Sequence, residues 1–105
     1  MKTVKYIATG LVYGNYWGGG KGAYASRILK SDTKEDIIEQ ATKGLDGSLD
    51  GGMGYESLIG ALLNIACITT VIIDGKEFEN IEYELEFIGD LSEEDMDFLE
   101  ECHYR

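Results

Sequence analysis

Apolar residues in this chain of 105 amino acids recur first with the period of a strand and then with that of a helix, and the alternation repeats. Thr3 to Tyr16 is rich in β-branched and aromatic residues and predicts a strand. Trp17-Gly18-Gly19-Gly20-Lys21-Gly22 reads as a glycine turn, after which Ala23 to Lys30 resumes as a second strand, so residues 3–30 form a predicted hairpin. Thr33 is a helix N-cap, with Glu35 and Asp36 in the first turn where the helix dipole favours acids. Ile37, Ile38, Ala41 and Leu45 supply its apolar stripe, and Gly44 or Gly47 ends it. Tyr55 to Leu63 suits either a short helix or the start of a strand, and Ile65 to Ile73 is β-branched and apolar.

Asp74-Gly75 is a two-residue hairpin turn. Beyond it Ile81, Tyr83, Leu85 and Phe87 alternate with Glu82, Glu84 and Glu86, which predicts one buried face and one row of carboxylates. Ser92 then N-caps a last helix with Asp95 at N3, and Met96, Leu99 and Cys102, with Phe98 beside them, form its buried stripe. The expected fold is a single α+β domain over residues 1–105, ordered ββαββα. Its predicted architecture is an antiparallel four-stranded sheet with two helices packed on one face.

Composition narrows the class. Apolar residues make up 44% of the chain, too many for a disordered acidic tail. A chain of this length buries roughly 60–70% of its unfolded surface and needs no metal or disulfide staple. Cys67 and Cys102 lie far apart, which suits reduced thiols and a cytoplasmic protein. Lys2 and Lys5 precede an apolar stretch, but Asn15, three glycines and Lys21 interrupt its continuation, so it reads as a strand and not as a leader peptide. No run approaches the roughly 18 apolar residues of a membrane span, and no membrane partner is expected.

Charge changes the picture most. The net charge of −11 is segregated along the chain. Residues 1–30 hold Lys2, Lys5, Lys21, Arg27 and Lys30 and no acid, whereas residues 74–101 hold thirteen acids against Lys76 alone. Such a gradient predicts a strongly negative face and fast association with a basic partner.

Candidate chemistry is sparse. His103 is the only histidine and lies near the C-terminus, so no nucleophile–base arrangement can be assembled and no catalytic residue is expected. Gly18 to Gly22 lacks the spacing and the hydroxyl residue of a phosphate loop. Asp46, Ser48, Asp50 and Gly51 match the opening of a calcium loop, but Ser57 stands where the closing bidentate glutamate belongs, so no metal is expected. No cofactor is expected either. The glycine loops Gly18–Gly22 and Gly47–Gly54 leave a small-ligand or nucleotide-binding module as one alternative. The hairpin, with Tyr6, Tyr13, Tyr16, Trp17 and Tyr24 among its basic residues, leaves single-stranded nucleic acid as another. The acidity elsewhere argues against direct binding of duplex DNA.

The leading candidate site is the acidic field itself: Glu82, Glu84 and Glu86 on the strand, continued by Asp90, Glu93, Glu94, Asp95 and Asp97. Carboxylates two residues apart on a strand are separated by about 6.6–6.8 Å, close to the phosphate repeat of a nucleic-acid strand. The stretches Gly10 to Gly20 (GLVYGNYWGGG) and Asp46 to Leu62 (DGSLDGGMGYESLIGAL) are similar to small phage and mobile-element proteins of Gram-positive bacteria. In size and acidity the chain resembles the anti-CRISPR inhibitors of Cas9. That resemblance implies a non-enzymatic DNA mimic in the host bacterial cell. Its partner would be a basic nucleic-acid-binding protein, Cas9 or its guide RNA complex.

Overall fold

A computed structural model describes residues 2–46 and 55–105 of the chain. Their secondary structure runs in the order β1 (Lys2–Tyr16), β2 (Lys21–Ala25), β3 (Leu29–Ser31), α1 (Lys34–Lys43), a 3-10 turn (Gly44–Asp46), β4 (Tyr55–Ile73), β5 (Lys76–Gly89) and α2 (Glu93–His103). The fold is thus α+β and its sheet wholly antiparallel. The Gly47–Gly54 loop, and with it most of the calcium-like segment, lies outside the described residues.

Three strands, not two, precede α1. The predicted return strand is broken: β2 pairs with Leu11–Asn15 of β1, and β3 pairs with Tyr6–Ala8. At the break the Ser26 hydroxyl donates to the Arg27 carbonyl, a local bond that competes with the ladder. The Ser26 N–H still reaches the Gly10 carbonyl at 2.9 Å. Tyr55 to Leu63 resolves as strand, so β4 runs without interruption for 19 residues. The resulting order is β2-β1-β4-β5, with β3 beside β2 on the outer edge of β1.

The turns and caps behave as their residues require. Gly18, Gly19 and Gly20 all have positive φ, and the Tyr16 N–H closes the loop on the Gly20 carbonyl. Asp74 and Gly75 both adopt the left-handed region, as a two-residue primed turn demands. The Thr33 hydroxyl caps α1 by accepting from the Asp36 N–H, and Ser92 with Asp95 forms a reciprocal capping box on α2.

The helices cover opposite faces of the sheet, not one. Ile37 and Ala41 of α1 pack on Ala8, Val12, Ala61, Leu63, Ile65 and Ile88. Leu99 of α2 packs on Tyr13 and Leu62, which point the other way, with Leu85 and Phe87 at the margin. The physical reason lies in β4. Gly60 to Ile68 is apolar almost throughout instead of alternating, the pattern of a strand that needs cover on both sides. Gly89, at φ 89°, makes the reversal that carries the chain from β5 to the second face, and the Asp90 N–H bonds the Ile59 carbonyl there.

Neither helix reaches the far end of the sheet. Beyond Ile65 the three strands continue as a ribbon in which Ile72, Ile73, Phe78, Ile81 and Tyr83 are exposed, and the molecule extends over 58 × 24 × 18 Å. The alternation of β5 predicts Ile81 and Tyr83 in the core; they stand 42% and 68% exposed because α2 ends before it covers them. Among the described residues no helix is long and apolar enough to cross a membrane.

Candidate functional site: the acidic edge

Strand order converts the charge gradient of the sequence into two unlike edges. Lys21, Arg27 and Lys30 lie on or between β2 and β3, at one edge. At the other edge β5 carries Glu77, Glu79, Glu82, Glu84 and Glu86 with Lys76 as its only base. Among the described residues no strand pairs with the outer side of β5.

The predicted site residues do not form one face. Glu82, Glu84 and Glu86 point to the side covered by α1, as Ile88 does. There the Lys34 ammonium bridges Glu84 and Glu86 at 2.7 and 2.8 Å, so two of the three carboxylates share one cation. The bonds to Glu84 and then Glu86 hold the Lys34 ammonium well above the usual lysine range. The Lys34 contact holds the Glu84 carboxyl below the usual glutamate range. Glu82 pairs with no cation among the described residues.

The remaining acids cluster around the start of α2, which packs on the opposite face. Part of that cluster has a structural role. Asp95 accepts from the Ser92 N–H at 3.2 Å, and that backbone bond lowers its carboxyl below the ordinary aspartate range. Burial raises the Tyr13 phenol above its ordinary range, and its bond to Asp95 adds to the shift. Glu93 and Glu94 occupy the first turn, where the helix dipole favours them. Asp90 and Asp97 are exposed.

The aromatic hairpin does not form one platform. Tyr6 and Tyr16 pack on the α1 side and Tyr13 on the α2 side, because adjacent positions of β1 alternate between faces. Tyr16 stacks on Tyr55 at 5.1 Å, with Tyr24 tilted against Tyr16 and edge-on to Tyr55, so much of this aromatic surface is taken up by internal packing. A hollow of about 480 Å³ opens between Lys5, Tyr6, Ile7, Lys30, Ser31 and Asp32 on the basic side.

Sequence reasoning missed Lys34, whose partners lie about fifty residues downstream, and it missed hollows on either face of β5. One, of about 480 Å³, opens between Asn64, Tyr83, Glu84, Leu85 and the His103–Tyr104 end of α2. The other, of about 240 Å³, lies between Tyr6, Ile65, Cys67, Glu82, Tyr83 and Glu84. The exposed Tyr83 belongs to both, and its place in an apolar alternation signalled burial instead. No protein-family model matches the chain, and no curated protein or solved structure matches it significantly.

Proposed function

We propose that this chain is a non-enzymatic inhibitor that binds a basic nucleic-acid-binding host protein through its acidic edge. The most concrete target is a Cas9-type nuclease, alone or with its guide RNA, in the bacterial cytoplasm. The observation that carries the reading is the run of acids along one open edge strand: β5 holds Glu77, Glu79, Glu82, Glu84 and Glu86 against Lys76 alone. An ordinary solvated strand intersperses its acids with lysines. Cas9 holds its heteroduplex in a positively charged channel and reads the adjacent duplex with arginines, so a rigid row of carboxylates is a physically matched competitor.

Glu77, Glu79 and Glu82 test this most cleanly, because none pairs with a cation among the described residues and their replacement leaves Lys34 in place. Pull-down on guide-loaded Cas9 should retain the parent chain. The variant Glu77→Gln/Glu79→Gln/Glu82→Gln should bind at least about ten-fold more weakly, with a shallower dependence on salt, since charged contacts steer and register such interfaces. Undiminished binding at 0.15 M salt, or no capture of the parent, would remove the reading.

A further inference from the structure

We infer that the open side of β5 takes up an extended, lysine- or arginine-bearing segment of a protein partner as an added strand. This rests on the proposal that the partner is basic, and it specifies how that partner is held. Three features of β5 coincide. It is 14 residues long, and among the described residues no strand pairs with its outer side, toward which alternate residues of an edge strand turn their N–H and C=O groups. Over residues 81–87 its two side-chain rows differ in chemistry, Glu82, Glu84 and Glu86 on one face and Ile81, Tyr83, Leu85 and Phe87 on the other, while nearer the turn Glu77 and Glu79 share the face of Ile81 and Phe78 that of Glu82. Hollows open beside Tyr83 and Glu84 on both faces, where the alternating side chains of a further strand would descend.

An added strand that alternates cationic and apolar residues sets each row against its complement. Its cations meet Glu82, which pairs with no cation among the described residues, and Glu84 and Glu86, which share Lys34, and its apolar residues reach Tyr83 and the Tyr104 end of α2. A second copy is the poorer occupant. Two β5 strands would oppose like charges, and the basic edge of the chain is divided into strands of 5 and 3 residues. Charge alone protects an edge from unwanted pairing, but an edge that needed only protection would not display Ile81 and Tyr83 beside its acids.

The test titrates the isotope-labelled full chain with acetylated peptides of about eight residues at low salt, reading amide shifts and hydrogen exchange. The probes are alternating Lys-Val, the same composition in two blocks, and the alternating peptide N-methylated either at every lysine or at every valine. In a strand, one of those methylated sets faces β5 and the other faces solvent. The alternating peptide should bind and slow exchange at every second amide of β5. One methylated peptide should match it, and the other should bind at least ten-fold more weakly, as should the block peptide. Equal binding by all four would overturn strand addition and leave attraction by charge, so the acidic-edge reading would stand. Absence of binding up to millimolar peptide, protection confined to α2, or peptide-independent self-association through β5 would also overturn it. The pull-down with the Glu77, Glu79 and Glu82 variant judges the broader reading separately.

Discussion

The two ends of this sheet are built from the same strands and live in different solvents. At one end Val12, Leu62, Leu63, Ile37 and Leu99 are fully enclosed between α1 and α2. At the other, Ile72, Ile73, Phe78 and Ile81 of β4 and β5 stand exposed, and the helices reach only as far as Glu84, through Lys34 of α1, and Tyr83, beside the His103–Tyr104 end of α2. Apolar content therefore does not decide burial; the reach of the two helices does. The covered end holds the fold, and at the uncovered end Glu82 stands beside exposed Ile81 and Tyr83.

The sharpest way to break the contrast is to delete the same kind of atoms at each end. Leu99→Ala, or Ile37→Ala on the opposite face, should cost about 2–5 kcal/mol, the usual penalty for emptying a packed site. In a domain of this size that lowers the melting temperature by on the order of 10–30 °C, readable by circular dichroism. Next comes the reversal that separates the faces. Gly89→Ala forces a side chain into the left-handed region and against the Ile59 carbonyl, and should cost at least roughly 1–2 kcal/mol. On the ribbon, Ile81→Ala or Phe78→Ala should change stability by less than about 1 kcal/mol in the same assay. A loss at Ile81 as large as at Leu99 would mean that the ribbon is part of the core.

The smallest effect concerns pH. Glu84, Asp36 and Asp95 all titrate below their ordinary ranges: Glu84 through Lys34, Asp36 chiefly through the Ser31 hydroxyl, Asp95 chiefly through the Ser92 N–H. Their stabilisation is present above the ordinary carboxylate pKa of about 4 and is lost as pH falls through the depressed values. Lys34 has the opposite sign: its contribution is present below the ordinary lysine range and lost as pH rises through its raised value. Melting temperature should therefore fall from pH 6 to pH 3, less steeply in Lys34→Met than in the parent. Identical slopes would show that the bridge over β5 contributes nothing.

Local signals were legible in the sequence. Thr33, Ser92 with Asp95, and Asp74-Gly75 each specify a cap or turn through bonds within three residues, and the structure contains all of them. What lay beyond reach depends on distant packing. The apolar run through β4 looks alike whether both helices sit on one face or on two, and only Tyr13 and Leu62 against Val12 and Leu63 settle it. For the same reason the carboxylate row was readable from the alternation of β5, while its sharing of Lys34 was not. Nor could alternation say where helical cover stops, and this hid the exposure of Ile81 and Tyr83.

The pairing of β1 with β4 has a consequence for how the chain is made. Lys2 pairs with Val71 and Leu11 with Leu62, whereas β4–β5 and β1–β2 are hairpins between neighbours in sequence. The centre of the sheet is thus its most non-local contact, and closing it bears the largest loop entropy. At about 5–20 residues per second, the β1 edge that will face β4 waits seconds on the ribosome for its partner. The slow step of folding should be the docking of two preformed hairpins, with Gly10 and Leu62 at the seam.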